Sequence, residues 1–282
     1  MGRGRDGRPG RLQGTCPWCR RRFDLRPHLA AGAVLTGRRG RWRVEGPFVR
    51  GGHAWLHRVV RTDGVDDGHA TGLAVRTRGP DGDEAGVLAV EEPEVLLGLV
   101  HPGLVRALDA TEDTDGTRHL VVAPVAGVAA TGPFPGPDAG ATAAAVVLAA
   151  VPAVAHLHAA GLLHADLKPA HLLGTGGPGA GPVVVVDLGS VRRAGDRTSP
   201  VWGTEGFLAP EIVPGAAGPS PASDVWALGR TLAVLAGPEP DRATRALADA
   251  ATALDPAARP GLDALADGLA ARAAAGGDTP VP

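Results

Sequence analysis

A long uncharged run followed at once by a polar decapeptide constrains this chain more than any other feature. From Ala139 to Gly161 there is no Asp, Glu, Lys or Arg. His164-Ala165-Asp166-Leu167-Lys168-Pro169-Ala170-His171-Leu172-Leu173 follows almost immediately. An apolar helix that leads into a short polar loop, and out again into apolar residues, sets one carboxylate and one ammonium close together on a connecting segment. Such segments carry function more often than the elements they join. Asp166 is placed to accept a hydroxyl proton, and Lys168 to hold a compact positive charge beside it. Lys168 is the sole lysine among 28 basic residues, all the others being arginine. A lone ammonium in such a chain points to a need for a point charge rather than a planar fork. Any helix-loop-strand connection can carry Asp-x-Lys, so further motifs have to support the reading.

The 282 residues suffice for one large two-lobed unit or two small domains with an ample core. A net charge of −2 gives no global sign of nucleic acid or membrane as a partner. The first 50 residues differ, with 13 arginines; a solvated, partly disordered arm accounts for them better than an acidic partner does. The 42 glycines and 26 prolines bring the chain close to a disordered composition, but aliphatic runs oppose that over most of its length. The Arg-rich opening precedes no apolar segment, so no secretory leader is expected, and residence in the cytoplasm is. Length alone would let 139–161 span a membrane. Its alanine content, Pro152, His156, His158 and the polar loop just after it favour a buried helix, and no membrane span is expected.

Both cysteines lie in Cys16-Pro17-Trp18-Cys19. A structural zinc site takes four ligands, usually from two such knuckles, and His28 is the only nearby substitute for the missing pair. A residual zinc-ribbon-like element is expected over 14–31, with no zinc at Cys16 and Cys19. No βαβ pattern surrounds the pair to suggest redox work. From about Arg43 to Arg61 the chain reads as strand, Gly turn and strand. Leu73–Arg76 reads as a third strand, and Leu120–Val125 as a strand running into a connector. Val183-Val184-Val185-Val186-Asp187-Leu188-Gly189 is an apolar strand ending in a carboxylate, suited to a hard cation with oxygen ligands. Ala209-Pro210-Glu211 and an apolar helix from Asp224 complete the pattern.

In this order and spacing, His164–Leu173, Asp187-Leu188-Gly189, Ala209-Pro210-Glu211 and Asp224–Gly229 resemble the catalytic loop, metal-binding turn, activation-segment end and supporting helix of the protein kinase superfamily. The resemblance covers roughly residues 15–272. It is strongest to the actinobacterial protein kinase G type, in which a C-P-x-C element precedes a kinase domain whose Gly-rich loop reads G-G-x-G-W and whose catalytic loop lacks Arg before Asp. Here those features are Cys16-Pro17-Trp18-Cys19, Gly51-Gly52-His53-Ala54-Trp55 and Ala165. The resemblance implies an α+β, bilobal kinase fold with a small β-rich N-lobe over 40–125 and a larger helical C-lobe over 126–272. A basic disordered arm over 1–13 and a flexible tail over 273–282 flank it.

The same resemblance implies the site. Asp166 and Lys168 are the catalytic pair, and Asp187 a Mg²⁺ ligand. Gly51 and Gly52 would approach the phosphates of ATP, Arg76 stands where the family has a phosphate-binding Lys, and Glu92 would pair with that cation. Pro93, directly after Glu92, disfavours a helix already under way there. The Ala123 carbonyl and Val125 amide would meet adenine. Thr204 corresponds to the threonine that touches the catalytic Asp and Lys, and Arg259 to the partner of Glu211. His171 occupies the place of a metal-binding Asn. Imidazole suits Mg²⁺ poorly, so local hydrogen bonding by His171 is the simpler expectation. The implied function is ATP- and Mg²⁺-dependent phosphorylation of Ser/Thr hydroxyls on a protein substrate whose identity the motifs do not give, with a pseudokinase scaffold as the alternative. With no tyrosine in the chain, tyrosine autophosphorylation is excluded.

Overall fold

The computed structural model describes residues 13–15, 22–24, 28–50, 55–64, 68–78, 93–112, 116–176, 181–196, 203–212 and 218–276. The chain divides into two compact units, Met1–Gly86 with Asp109–Val121, and Val87–Leu108 with Val122–Pro282. The first is built on β-strands and the second mainly on helices, an α+β organisation as expected.

In the first unit β1 (Gln13–Thr15) and β2 (Arg22–Asp24) form an antiparallel ribbon. Next in the chain are β3 (Val34–Thr36), β4 (Arg41–Arg50), β5 (Trp55–Arg61) and β6 (Thr71–Arg78), then α1 (Pro93–Gly98), β7 (Ala107–Glu112) and β8 (Arg118–Val122). Strands β3 to β8 form one six-stranded sheet in the order β3-β4-β5-β6-β8-β7. Strand β4 shows why the sequence pairs this way. Trp42 and Val44 are fully buried while Arg41, Arg43 and Glu45 face solvent, the period-two alternation of a sheet with one covered face. Its pairing with β5 slips at Val44/Gly46 and again at Pro47/Val49, two irregularities that bend the hairpin.

A buried carboxylate locks the sheet edge. Asp109 accepts from Trp42 Nε1 at 2.8 Å, from the Arg39 amide at 3.0 Å and from the Ala110 amide at 2.8 Å. Gly37 must be glycine for this, since a Cβ there would lie 2.0 Å from an Asp109 oxygen. Helix α1 belongs to the second unit and opens at Pro93, where the missing amide would have been unsatisfied in any case. Pro93 therefore starts a helix directly after Glu92.

The second unit continues with β9 (Val128–Ala129), α2 (Ala139–Ala159), β10 (Leu162–Leu163), β11 (Leu172–Gly174), β12 (Val183–Val185), β13 (Arg192–Arg193), α3 (Pro221–Ala236), α4 (Arg242–Ala251) and α5 (Leu262–Ala274). Helix α2 is the uncharged run singled out in the sequence. It is long and apolar enough by composition to cross a membrane, yet here most of it is buried by protein. Ala143, Ala144, Val147, Ala150, Ala153, Val154 and Leu157 are fully buried, and α3 and α5 pack against it. Small side chains let helices approach closely. A Cβ on Gly229 of α3 would come within 2.6 Å of the Ala251 Cβ on α4. Strands β12, β11 and β9 pair in that order, and β10 pairs with β13. These short ladders hold the segments on either side of 164–168 and of Asp187.

Candidate active site

The loop 164–168 leaves β10 and returns through a short 3₁₀ turn, Pro169–His171, into β11. Its backbone is held from below by Asp224 on the first turn of α3. This fully buried carboxylate accepts from the His164 amide at 2.9 Å, from the Ala165 amide at 2.9 Å and from His158 Nε2–H at 2.9 Å. Two adjacent amides aimed at one carboxylate bend the chain sharply. Ala165 sits in the left-handed region, φ 63°, a conformation costing an L-residue about 1–2 kcal/mol. Strain of this kind persists only where the surroundings over-determine it.

Asp166 follows the bend. Its Oδ2 accepts from Lys168 Nζ at 2.8 Å, and its Oδ1 from the Thr204 amide at 2.9 Å and hydroxyl at 2.8 Å. Lys168 Nζ also donates to Thr204 Oγ1 at 2.6 Å. Burial by itself would raise the Asp166 carboxyl. The hydrogen bond from Lys168, the nearby His171 ring and the Thr204 hydroxyl outweigh it and hold the carboxyl below its ordinary value. The group is an ionised, firmly aimed acceptor. It orients a hydroxyl better than it strips one of its proton.

The second carboxylate arrives on the strand β12. Val186 donates its amide to the His171 carbonyl at 2.9 Å, and His164 Nε2–H donates to the Val186 carbonyl at 3.0 Å. Loop and strand are thereby stitched together one residue before Asp187. Asp187 is itself left-handed, φ 67°, and half-exposed, with its Oδ1 accepting from the Gly189 amide at 3.1 Å. The buried ring of His171 lies between the two carboxylates. Its Nδ1 is 2.8 Å from the Asp166 carbonyl and its Nε2 is 3.3 Å from Asp187 Oδ2. Burial lowers the His171 pKa, opposed by the charge of Asp187. Asp166, His171 and Asp187 each offer one donor atom, and these lie within 4.8 Å of one another. Asp187 fits a Mg²⁺ ion, which takes carboxylate and phosphate oxygens. The ring nitrogen of His171, where an amide oxygen would serve, does not fit it.

Ala123 and Val125 lie on irregular backbone just after β8, half-buried, with the Ala123 amide already given to the Arg106 carbonyl at 2.8 Å. Arg76 lies on β6. Gly51, Gly52, Glu92, Cys16 and Cys19 are outside the described residues. The expected pairing of Arg259 with Glu211 is present and two-pronged, at 2.7 Å on both arms, with the guanidinium 4.9 Å from the Trp226 ring. Sequence reasoning did not find the clamp made by His158 and Asp224, nor the stitching role of His164. A signal existed for Asp224, a carboxylate opening an otherwise apolar helix, but its partners lie about 60 residues earlier in the chain.

The family model for the protein kinase domain matches residues 75–256. The chain is 32% identical over 242 residues to the serine/threonine-protein kinase PknG of Mycobacterium leprae, which covers 82% of this chain and 30% of that protein. It is 30% identical to PknG of Mycolicibacterium smegmatis over 79% of this chain and 28% of that protein. Against the DNA damage-responsive serine/threonine-protein kinase RqkA of Deinococcus radiodurans it is 30% identical, over 72% of this chain and 30% of that protein. The chain thus spans less than a third of the length of each of these relatives. A half-buried aspartate held by lysine and threonine, a second aspartate stitched beside it, and a matching domain over most of the chain agree: this chain belongs to the protein kinase family and is serine/threonine kinase-like, similar to bacterial kinases of the PknG kind.

Proposed function

We propose that the chain transfers the γ-phosphoryl group of ATP to Ser or Thr hydroxyls of a protein substrate. The observation that carries this is the closed network of Asp166, Lys168 and Thr204. Phosphoryl transfer through a loose transition state asks mainly for positioning and charge. Asp166, ionised and fixed on both oxygens, is suited to align the acceptor hydroxyl. The Lys168 ammonium, held 2.8 Å from that carboxylate, keeps positive charge where equatorial phosphoryl oxygens gather electrons. Thr204 ties both groups to the activation segment, so a displaced segment would loosen both together. A divalent ion held by Asp187 would offset phosphate charge. Ala123 and Val125 are assigned to adenine, and Gly51, Gly52, Arg76 and Glu92 to the phosphate side.

Arg76 and His171 depart from the usual phosphate- and metal-binding residues and are the grounds for the second reading, a nucleotide-binding scaffold without efficient transfer. A planar, forked guanidinium does not present charge as an ammonium does. The reading therefore predicts slow transfer to a Ser/Thr peptide, abolished by Asp166→Ala and raised by Arg76→Lys. Transfer that survives Asp166→Ala would remove the assigned role of Asp166. If ATP with Mg²⁺ leaves the melting temperature of the full chain unchanged, the kinase and scaffold readings both fail.

A further inference from the structure

We propose that His171 and Asp187 form a nitrogen-and-oxygen cation site that selects a first-row transition-metal dication, of which Mn²⁺ is the probe, over Mg²⁺. His171 Nδ1 lies 2.8 Å from the Asp166 main-chain carbonyl, an acceptor only, so Nδ1 carries the ring proton. In that tautomer Nε2 presents a lone pair, and it faces Asp187 Oδ2 across 3.3 Å. Two lone pairs at that distance repel unless a proton or a metal cation lies between them. An ion about 2.1 Å from each ligand, at octahedral or tetrahedral angles, separates them by about 3.0–3.4 Å. The 3.3 Å spacing falls within that range, so the pair can share an ion without moving.

The surroundings agree with it. Metal-bound histidines characteristically donate the other ring N–H to a backbone carbonyl or carboxylate, which fixes the ring. Asp166 supplies that carbonyl here, and the His171 side chain is 11% exposed, so its aim is set by packing. The two carboxylates are not equivalent in charge. Lys168 neutralises Asp166, whereas among the described residues no lysine or arginine pairs with Asp187, and its side chain is 52% exposed and open to an entering ion. Imidazole is a ligand for borderline dications, while Mg²⁺ keeps to oxygen and water.

The inference deepens the phosphotransfer reading of this loop, but its test uses no nucleotide, so the two can fail separately. Free Mn²⁺ is titrated against the full chain by electron paramagnetic resonance, with Mg²⁺ as competitor. Mn²⁺ is expected to bind at least about tenfold more tightly than Mg²⁺, His171→Asn to weaken Mn²⁺ by about 10–100-fold while sparing Mg²⁺, and Asp187→Asn to weaken both. Should the variants fold poorly, proton NMR of the parent decides. Sub-stoichiometric Mn²⁺ should broaden the His171 ring resonances before those of His101 and His156. Equal affinities for the two ions, unchanged Mn²⁺ binding in His171→Asn, or a His171 ring that stays sharp would each overturn the site, leaving the ring as a local hydrogen-bond donor. Loss of ATP binding with the Mn²⁺ preference intact would instead remove the kinase and scaffold readings and leave the metal site standing.

Discussion

Asp109 in the sheet unit and Asp224 in the helical unit solve the same problem with opposite consequences. Each is a fully buried carboxylate accepting three hydrogen bonds. Buried charge is tolerated only when its oxygens are occupied, and both meet that condition. Asp109 gathers an indole and two amides that already lie in relaxed β and turn geometry, so its work ends with the sheet edge. Asp224 gathers two consecutive amides and an imidazole, and to do so it turns Ala165 into a left-handed conformation beside Asp166. One carboxylate supports a fold, while the other stores backbone strain at the place where chemistry is proposed. Burial and partner number alone do not distinguish them; what their partners are forced to do does.

The comparison can be broken by substitution. Asp224→Ala orphans two buried amides and the His158 ring, and is expected to cost about 3–5 kcal/mol in urea unfolding. Phosphotransfer per folded molecule should fall with it, because Asp166 loses the bend that aims it; retained transfer would show that the clamp is scaffold only. Asp109→Ala should cost about 2–3 kcal/mol through the orphaned Trp42 indole and Arg39 amide, while leaving transfer per folded molecule unchanged. A comparable loss of transfer there would erase the distinction between the two sites. The smallest effect sharpens the claim of strain. Ala165→Gly removes a conformational penalty of about 1–2 kcal/mol but adds the entropy of a glycine in the unfolded chain, about 0.5–1 kcal/mol, for a net gain of about 0.5–1 kcal/mol. Destabilisation by this change would mean that Asp224 holds a relaxed loop.

Much of the site was legible because its parts are local in sequence. The apolar run 139–161 reads as a buried helix from its lack of charge, and α2 is that helix, since alanine and valine on most sides suit an element largely covered by its neighbours. Val183–Val186 reads as a strand from β-branched residues, and β12 stops at Val185, where Asp187 takes a turn conformation. The pairing of Arg259 with Glu211, 48 residues apart, was reachable only through family resemblance. His171 shows where reading stopped: its identity made it a doubtful Mg²⁺ ligand, but not which nitrogen would carry the proton. Asp109 gave no signal at all, being one acidic residue in a short strand that is buried without alternation from Ala107 to Thr111.

What the sequence by itself determined is which groups are present and in what order: one ammonium beside one carboxylate, a second carboxylate at a strand end, and the helix and strand periods that flank them. Those depend on residue type and near-neighbour spacing, which a linear chain displays. Only the tertiary structure decided the left-handed turn at Ala165, the clamp of Asp224 on the His164 and Ala165 amides, and the facing of His171 Nε2 toward Asp187. Each is set by buried polar groups that must find partners once water is excluded, and which partners lie within reach depends on how the helices and strands pack.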